Sequence, residues 1–172
     1  SRGFGRKQRG FIIADENSDA EQIGDEPLQY FKKYGNQVIV SVEADRVLGA
    51  MDLFIQHEDV EVLLLYDAYQ HRKIYAGLNI LLTDYNDPFY KDFILPVGNL
   101  RESRSGKNRA DAIVVTKCPE ISENDKNAVI SKLKPTDKQK VFFSKIVYGS
   151  AYSFDGAPAQ IIGKNIILVT GI

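Results

Sequence analysis

Three clusters of polar residues carry the chemistry open to this chain. The first is Tyr66-Asp67-Ala68-Tyr69-Gln70-His71-Arg72, which follows the apolar run Val60–Leu65. Open parallel α/β sheets bind ligands beyond the carboxyl ends of their strands, and a strand-end aspartate is where phosphate-transferring P-loop enzymes hold their metal. The same pattern also describes a turn or a helix cap. The second cluster, Gly24-Asp25-Glu26-Pro27, opens a helical pattern, with Pro27 suited to the first turn and both acids complementing the positive end of the dipole. A carboxylate there stays ionised and either caps the helix or accepts a proton from an attacking hydroxyl. The third is Leu95-Pro96-Val97-Gly98-Asn99-Leu100-Arg101-Glu102-Ser103, followed by Arg104, Lys107 and Arg109. Presented on a structured loop, Arg101 could clamp a phosphate with two parallel hydrogen bonds; a solvated basic loop is the other reading. At the amino end, Arg2, Arg6, Lys7 and Arg9 either guard a phosphate or solvate a loop.

Other chemistries are poorly served. Two histidines and one cysteine, widely spaced, do not make a zinc site, and Cys118 lacks the histidine framework of a nucleophile. His57 reads as solvated, whereas His71 stands beside Asp67 and Gln70. The phosphate-binding pattern G-x-x-x-x-G-K-[ST] occurs nowhere, since Gly106-Lys107 and Gly163-Lys164 are each followed by asparagine. With 22 Lys+Arg against 23 Asp+Glu there is no broad positive field to attract nucleic acid, so any anion site is local. A single cysteine fits a reducing compartment, and the cytoplasm is expected. No apolar stretch approaches the roughly 20 residues that span a bilayer.

The elements that must position these clusters follow from periodicity. Short apolar runs at Phe11–Ala14, Val38–Val42, Val60–Leu65, Leu78–Thr83, Ala112–Thr116 and Ile166–Thr170 predict strands buried on both faces and paired in parallel. Helical spacing covers Pro27–Tyr34, Ala44–Gln56 and Ser122–Leu133. In the second of these, Val47, Leu48, Met51, Phe54 and Ile55 form a stripe expected to pack on the sheet, with Asp45, Arg46 and Asp52 turned away. Alternation of this kind predicts an α/β fold. The stretch Val141–Tyr152 reads as an antiparallel ribbon or connector. The organisation expected is therefore one central layered part over 1–140, then a connector and the start of a second subdomain over 141–172. At 172 residues and 44% hydrophobic, the chain can bury one sizeable core. Its abrupt beginning at Ser1-Arg2-Gly3 and its end within a strand pattern suggest a piece of a longer protein.

Taken in order, Ser1-Arg2-Gly3-Phe4-Gly5-Arg6, Gly24-Asp25-Glu26-Pro27, Asp67-Ala68-Tyr69-Gln70-His71-Arg72, Leu95-Pro96-Val97-Gly98-Asn99-Leu100-Arg101-Glu102, Arg109–Lys117 and Val169-Thr170-Gly171-Ile172 resemble successive blocks of the lipid A 4′-kinase family. The resemblance implies a P-loop-NTPase-like layered fold, with a mostly parallel sheet flanked by helices and a short β-ribbon connector after it. It implies transfer of the γ-phosphoryl group of ATP, with Mg2+, to the 4′-hydroxyl of a tetraacylated glucosamine disaccharide 1-phosphate. That reaction yields the lipid A precursor of Gram-negative outer membranes. The enzyme would sit on the cytoplasmic face of the inner membrane, docked through parts absent from this chain. By the same resemblance Asp25 is the general base and Asp67 part of the acidic pair near the metal. Arg46, Gln70, His71, Arg101 and Glu102 lie near the lipid headgroup or phosphates, and Arg2 and Phe4 near the nucleotide. The family usually has two adjacent acids where this chain has Tyr66-Asp67, and a tyrosine where it has Phe4. Without a phosphate loop the chain alone is expected to be inactive. The alternative reading is a degenerate relative that binds nucleotide or lipid headgroup without catalysis.

Overall fold

The computed structural model describes residue 7, residues 9–153 and 155–160, and residues 162, 163, 165 and 167. Arg2 and Phe4 lie outside them, as does most of the strand expected at 166–170. In the amino-terminal half, strand β1 (Ile12–Ile13) leads through helices α1 (Ala20–Ile23) and α2 (Asp25–Tyr34) to strand β2 (Ser41–Val42) and helix α3 (Arg46–Gln56). The carboxy-terminal half contains β3 (Ile80–Asp84), a 3-10 helix over Arg104–Arg109, β4 (Ala112–Thr116), α4 (Glu123–Leu133) and β5 (Lys140–Phe143).

β3, β4 and β5 form a parallel sheet in that order, with Leu81 opposite Ile113 and Ile113 opposite Val141. Period-two alternation on β4 sends Ile113 and Val115 into a core closed by Leu133 of α4, with Leu81, Phe89, Val129, Val141 and Phe143 packed round it. Ser122 starts α4 through a capping box with Asp125, satisfying amides that the helix leaves without partners. The layered α/β architecture with a parallel sheet is thus as expected, but the described residues close only one face of the sheet. On the other face Ile80 and Leu82 remain exposed.

Four expectations are corrected. β1 and β2 pair antiparallel, not parallel, around a small core of Ala14, Ile23 and Val42. Val60–Leu65 forms no strand, because an extended run needs a neighbouring ladder and none of the described residues supplies one; Leu64 is 82% exposed. The first residues of the stretch expected as a connector, Lys140–Phe143, add a third parallel strand to the sheet. The antiparallel bridge Tyr152–Pro158 comes later. Finally, α3 is turned round. Leu48, Met51, Phe54 and Ile55 point outward, while Leu53 and Arg46 are buried. Small residues explain the choice of face: a β-carbon on Gly49 would stand 2.8 Å from the β-carbon of Glu43, so α3 lies against β2 closely through its glycine side.

Candidate active site

The amino end of α2 and the 66–72 segment meet. Gly24, with φ 92°, precedes the helix, and Asp25 and Glu26 form its first turn without a side-chain cap at Gly24. Pro27 is buried in the same turn, where its missing N–H would have had no helical partner. The Tyr66 hydroxyl donates to Glu26 Oε1 at 3.3 Å, and its ring stands edge-on to Tyr30 with centroids 5.4 Å apart. The Tyr30 hydroxyl, then burial, then the Glu26 carboxylate push the Tyr66 phenol up to about 12. At neutral pH it is therefore a neutral donor and not an anionic ligand. Asp25 is exposed next to this contact, and its carboxylate has no hydrogen-bond or ion-pair partner among the described residues.

The 66–72 segment also meets the third cluster. Arg101 grips Asp67 with two hydrogen bonds, Nη2 to Oδ1 at 2.7 Å and Nη1 to Oδ2 at 3.3 Å, both side chains being 57% exposed. The loop presenting Arg101 is built round Asp92, whose carboxylate accepts from the amides of Phe93 and Asn99. Arg104 donates to the Asp92 carbonyl through Nε and Nη2. Gly98 is required there, since an added β-carbon would fall 2.1 Å from Asp92 Oδ1. Next along, Glu102 accepts from Arg109 Nη2 at 2.8 Å and from Gln70 Nε2 at 3.4 Å. The bond from Arg109 holds the Glu102 carboxyl below its usual range, against the opposing effect of burial.

A second grouping forms where α3 begins. Ala44, Asp45, Arg46 and Val47 line a cleft of about 340 Å³ with Gln70, His71, Arg72, Lys73 and Ile74. Arg46, only 6% exposed, donates through Nη1 to the Glu43 and Ala44 carbonyls. The structure thus gathers Arg46 and His71 at the cleft where α3 begins, sets Arg101 against Asp67 and Glu102 against Gln70, and brings the Asp25 end of α2 to the same segment through Glu26 and Tyr66. Sequence reasoning named Glu26, Tyr69 and Arg109 within its clusters and blocks, and Tyr30 within a helical pattern, but gave none of them these joining roles. No spacing marks them, because their partners are distant in sequence. The expected delivery of Asp67 from a strand end is also not what occurs; it sits in a turn with φ 45°, tied to a loop ahead of β4.

Among the described residues no three metal-ligating side chains converge. With both oxygens of Asp67 on Arg101 and Tyr66 a neutral donor to Glu26, this pair does not present the two carboxylates that would hold a divalent ion. Cys118 is buried, and burial pushes its thiol up, which suits a packing role.

Fold and site together define the class, a P-loop-like layered α/β protein with a cation-lined site on irregular segments beside a parallel sheet. Residues 1–172 match the family model described as tetraacyldisaccharide-1-P 4′-kinase, and the chain belongs to that family. It is 49% identical over 176 residues to a tetraacyldisaccharide 4′-kinase of Flavobacterium johnsoniae, covering 100% of this chain and 52% of the relative. Identity is 45% over 183 residues to the Bacteroides fragilis protein of the same name, covering 100% and 48%. The chain therefore spans about half the length of the curated relatives it matches. No solved structure matches it.

Proposed function

We propose that the protein containing this chain transfers the γ-phosphoryl group of ATP, taken as its magnesium complex, to the 4′-hydroxyl of tetraacyldisaccharide 1-phosphate in lipid A biosynthesis. Family membership along the whole chain supports the reaction class. The observation that carries the site assignment is the hydrogen bond from Tyr66 to Glu26, which sets the amino end of α2 against the 66–72 segment.

The reaction needs an in-line hydroxyl, neutralisation of charge on the transferring group, and a place for one proton. Asp25 takes that proton. Its carboxylate is exposed in the first turn of α2, where an attacking hydroxyl can reach it. The γ-phosphorus forms a bond to the 4′-oxygen while its bond to the bridging oxygen breaks, the electron pair leaving on ADP; the proton on Asp25 then passes to solvent. Arg46 and His71, with Arg72 and Lys73 beside them, offer a cleft for a phosphorylated sugar headgroup, and Gln70 closes it. Arg101 positions Asp67, Glu102 positions Gln70, and both are assigned to the headgroup on resemblance. Arg2 and Phe4 are assigned to the nucleotide on resemblance. Among the described residues no helix is long and apolar enough to cross a membrane, so attachment to the cytoplasmic face of the inner membrane is assigned to parts outside this chain. The 172 residues alone, lacking a phosphate-binding loop, are proposed to be inactive.

The test is ATP-dependent phosphorylation of tetraacyldisaccharide 1-phosphate by the full-length protein. Asp25→Asn should lower kcat by about 100-fold or more, the usual worth of a positioned base. Unchanged turnover would remove Asp25 from the mechanism. A second reading, binding of nucleotide or headgroup without catalysis, draws on Tyr66, a neutral phenol where the family carries an acid. An inactive full-length protein that gains activity on Tyr66→Asp would establish it.

A further inference from the structure

The 66–72 segment carries Asp67, Gln70 and His71 yet belongs to no strand or helix. Asp67 is held at φ 45°, a left-handed conformation that is unfavourable for a non-glycine residue and persists where surrounding contacts fix it. Its bond to Arg101 is exposed and joins it to another loop. The firm attachment lies two residues on, at Tyr69. The Tyr69 hydroxyl donates to the Gly106 carbonyl at 2.9 Å, its carbonyl accepts from Arg109 Nη2 at 3.2 Å, and the Arg109 guanidinium lies 4.6 Å from its ring centroid.

The same Nη2 donates to Glu102 Oε1 at 2.8 Å. A guanidinium amino group has two hydrogens, so one nitrogen serves both segments at once. Arg109 is itself anchored to the sheet. The next residue, Ala110, belongs to the core, and Gln139 Nε2, just before β5, donates to the carbonyls of Lys107 and Ala110 at 2.6 and 2.8 Å. A continuous path therefore runs from the parallel sheet through Arg109 to Tyr69 and Glu102, and from them to Asp67 and Arg101.

We propose that Arg109 is a positioning residue: by clamping Tyr69 and Glu102 together it sets Asp67 against Arg101 and Gln70 against Glu102, without touching the reacting groups. The catalytic consequence rests on the phosphoryl-transfer reading above; the clamp itself does not. Lysine keeps the charge but offers a single point, not a planar fork able to bond two carbonyl-type oxygens and lie over a ring.

The experiment compares Arg109→Lys, Tyr69→Phe and Asp67→Asn in the full-length protein, by steady-state kinetics and by amide hydrogen exchange. Arg109→Lys should lower kcat about 10- to 100-fold, the effect of misplacing reacting groups by a fraction of an ångström to an ångström, with the KM for ATP changed less than about threefold. In an Asp67→Asn background the same change should add less than about twofold, because two residues acting as one unit are not additive. Full additivity would overturn the proposal. Exchange at the His71 amide, bonded to the Ala68 carbonyl, should quicken about tenfold or more in Arg109→Lys while β4 amides keep their protection. Unchanged exchange at His71 overturns the clamp whatever the kinetics. Should Arg109→Lys not fold, Glu102→Gln, which takes away the charge that Arg109 grips, should quicken His71 exchange more than Tyr69→Phe, which removes only the bond to Gly106 and keeps both Arg109 contacts; no change at His71 in Glu102→Gln refutes the clamp. A wild-type protein without kinase activity, but with faster exchange in the variants, supports the clamp and sinks the phosphoryl-transfer reading instead.

Discussion

The two halves of the molecule are built to different degrees of closure. From β3 to β5, successive parallel strands and α4 bury Ile113, Val115 and Leu133 completely or nearly so. From β1 to the 60–75 stretch, a two-stranded antiparallel pair encloses three buried residues, while Met51, Ile55, Val62 and Leu64 are left exposed. Each half supplies part of the site, Asp25 and the Arg46 cleft from the first, Arg101, Glu102 and Arg109 from the second. The 66–72 segment runs between them with side chains bonded to both. In this chain the candidate segment is fastened to the half with the closed core by side chains, not by a backbone ladder.

The largest effect that could break this comparison is on stability. Leu133→Ala or Ile113→Ala, at positions 1% and 0% exposed, should cost about 2–5 kcal/mol by chemical denaturation. Ile55→Ala, at a position 71% exposed, should stay within about 0.5 kcal/mol. Comparable losses at both places would mean that the open half carries as much of the folding free energy as the closed one.

A smaller effect sharpens the account of the join. Glu102 is held below the usual glutamate range by Arg109, so its folded-state pKa is depressed. Such a group contributes stability that is fully present above the unfolded value of about 4.3 and is lost as pH falls through the folded value. Acid titration of the wild type should therefore show a loss of stability beginning below about pH 4.3 that Glu102→Gln lacks, the substitution costing about 1 kcal/mol at neutral pH as a partly exposed ion pair does. An identical acid limb in both proteins would show that the pair contributes nothing to holding the segment.

The smallest effect concerns the contact with the open half. Tyr66→Phe removes one exposed hydrogen bond to Glu26 and should cost about 0.5 kcal/mol or less. In the wild type, ultraviolet titration should find one tyrosine ionising near 12, and that phenolate signal should vanish in the variant. A Tyr66 that ionises near the ordinary value would mean that α2 and the 66–72 segment are not in contact.

Much of this was legible in the residues. Ala112–Thr116 is a strand with the predicted bounds, and Ser122 before an amphipathic stretch marks the start of α4 correctly, because strand alternation and capping are local rules. The blocks at 24–27, 67–72 and 95–102 pointed to the family that the whole chain matches. Periodicity also found the apolar stripe of α3, but it could not say which side meets the sheet. In the folded chain Gly49 approaches Glu43 closely, and Arg46 is buried with its guanidinium on the Glu43 and Ala44 carbonyls, where a position turned away from the sheet was expected.

The sequence by itself determined the residue types, most helices, the closed core strand and the family. Only the tertiary structure decided that Val60–Leu65 stays out of a sheet, that Asp67 faces Arg101 and that Arg109 closes over Tyr69. Those contacts join residues 34 and 40 positions apart. Local pattern records the preference of each segment for a period and a burial state, whereas a strand needs a partner and a guanidinium needs oxygens at hydrogen-bond distance, and both are supplied only when distant segments are brought together.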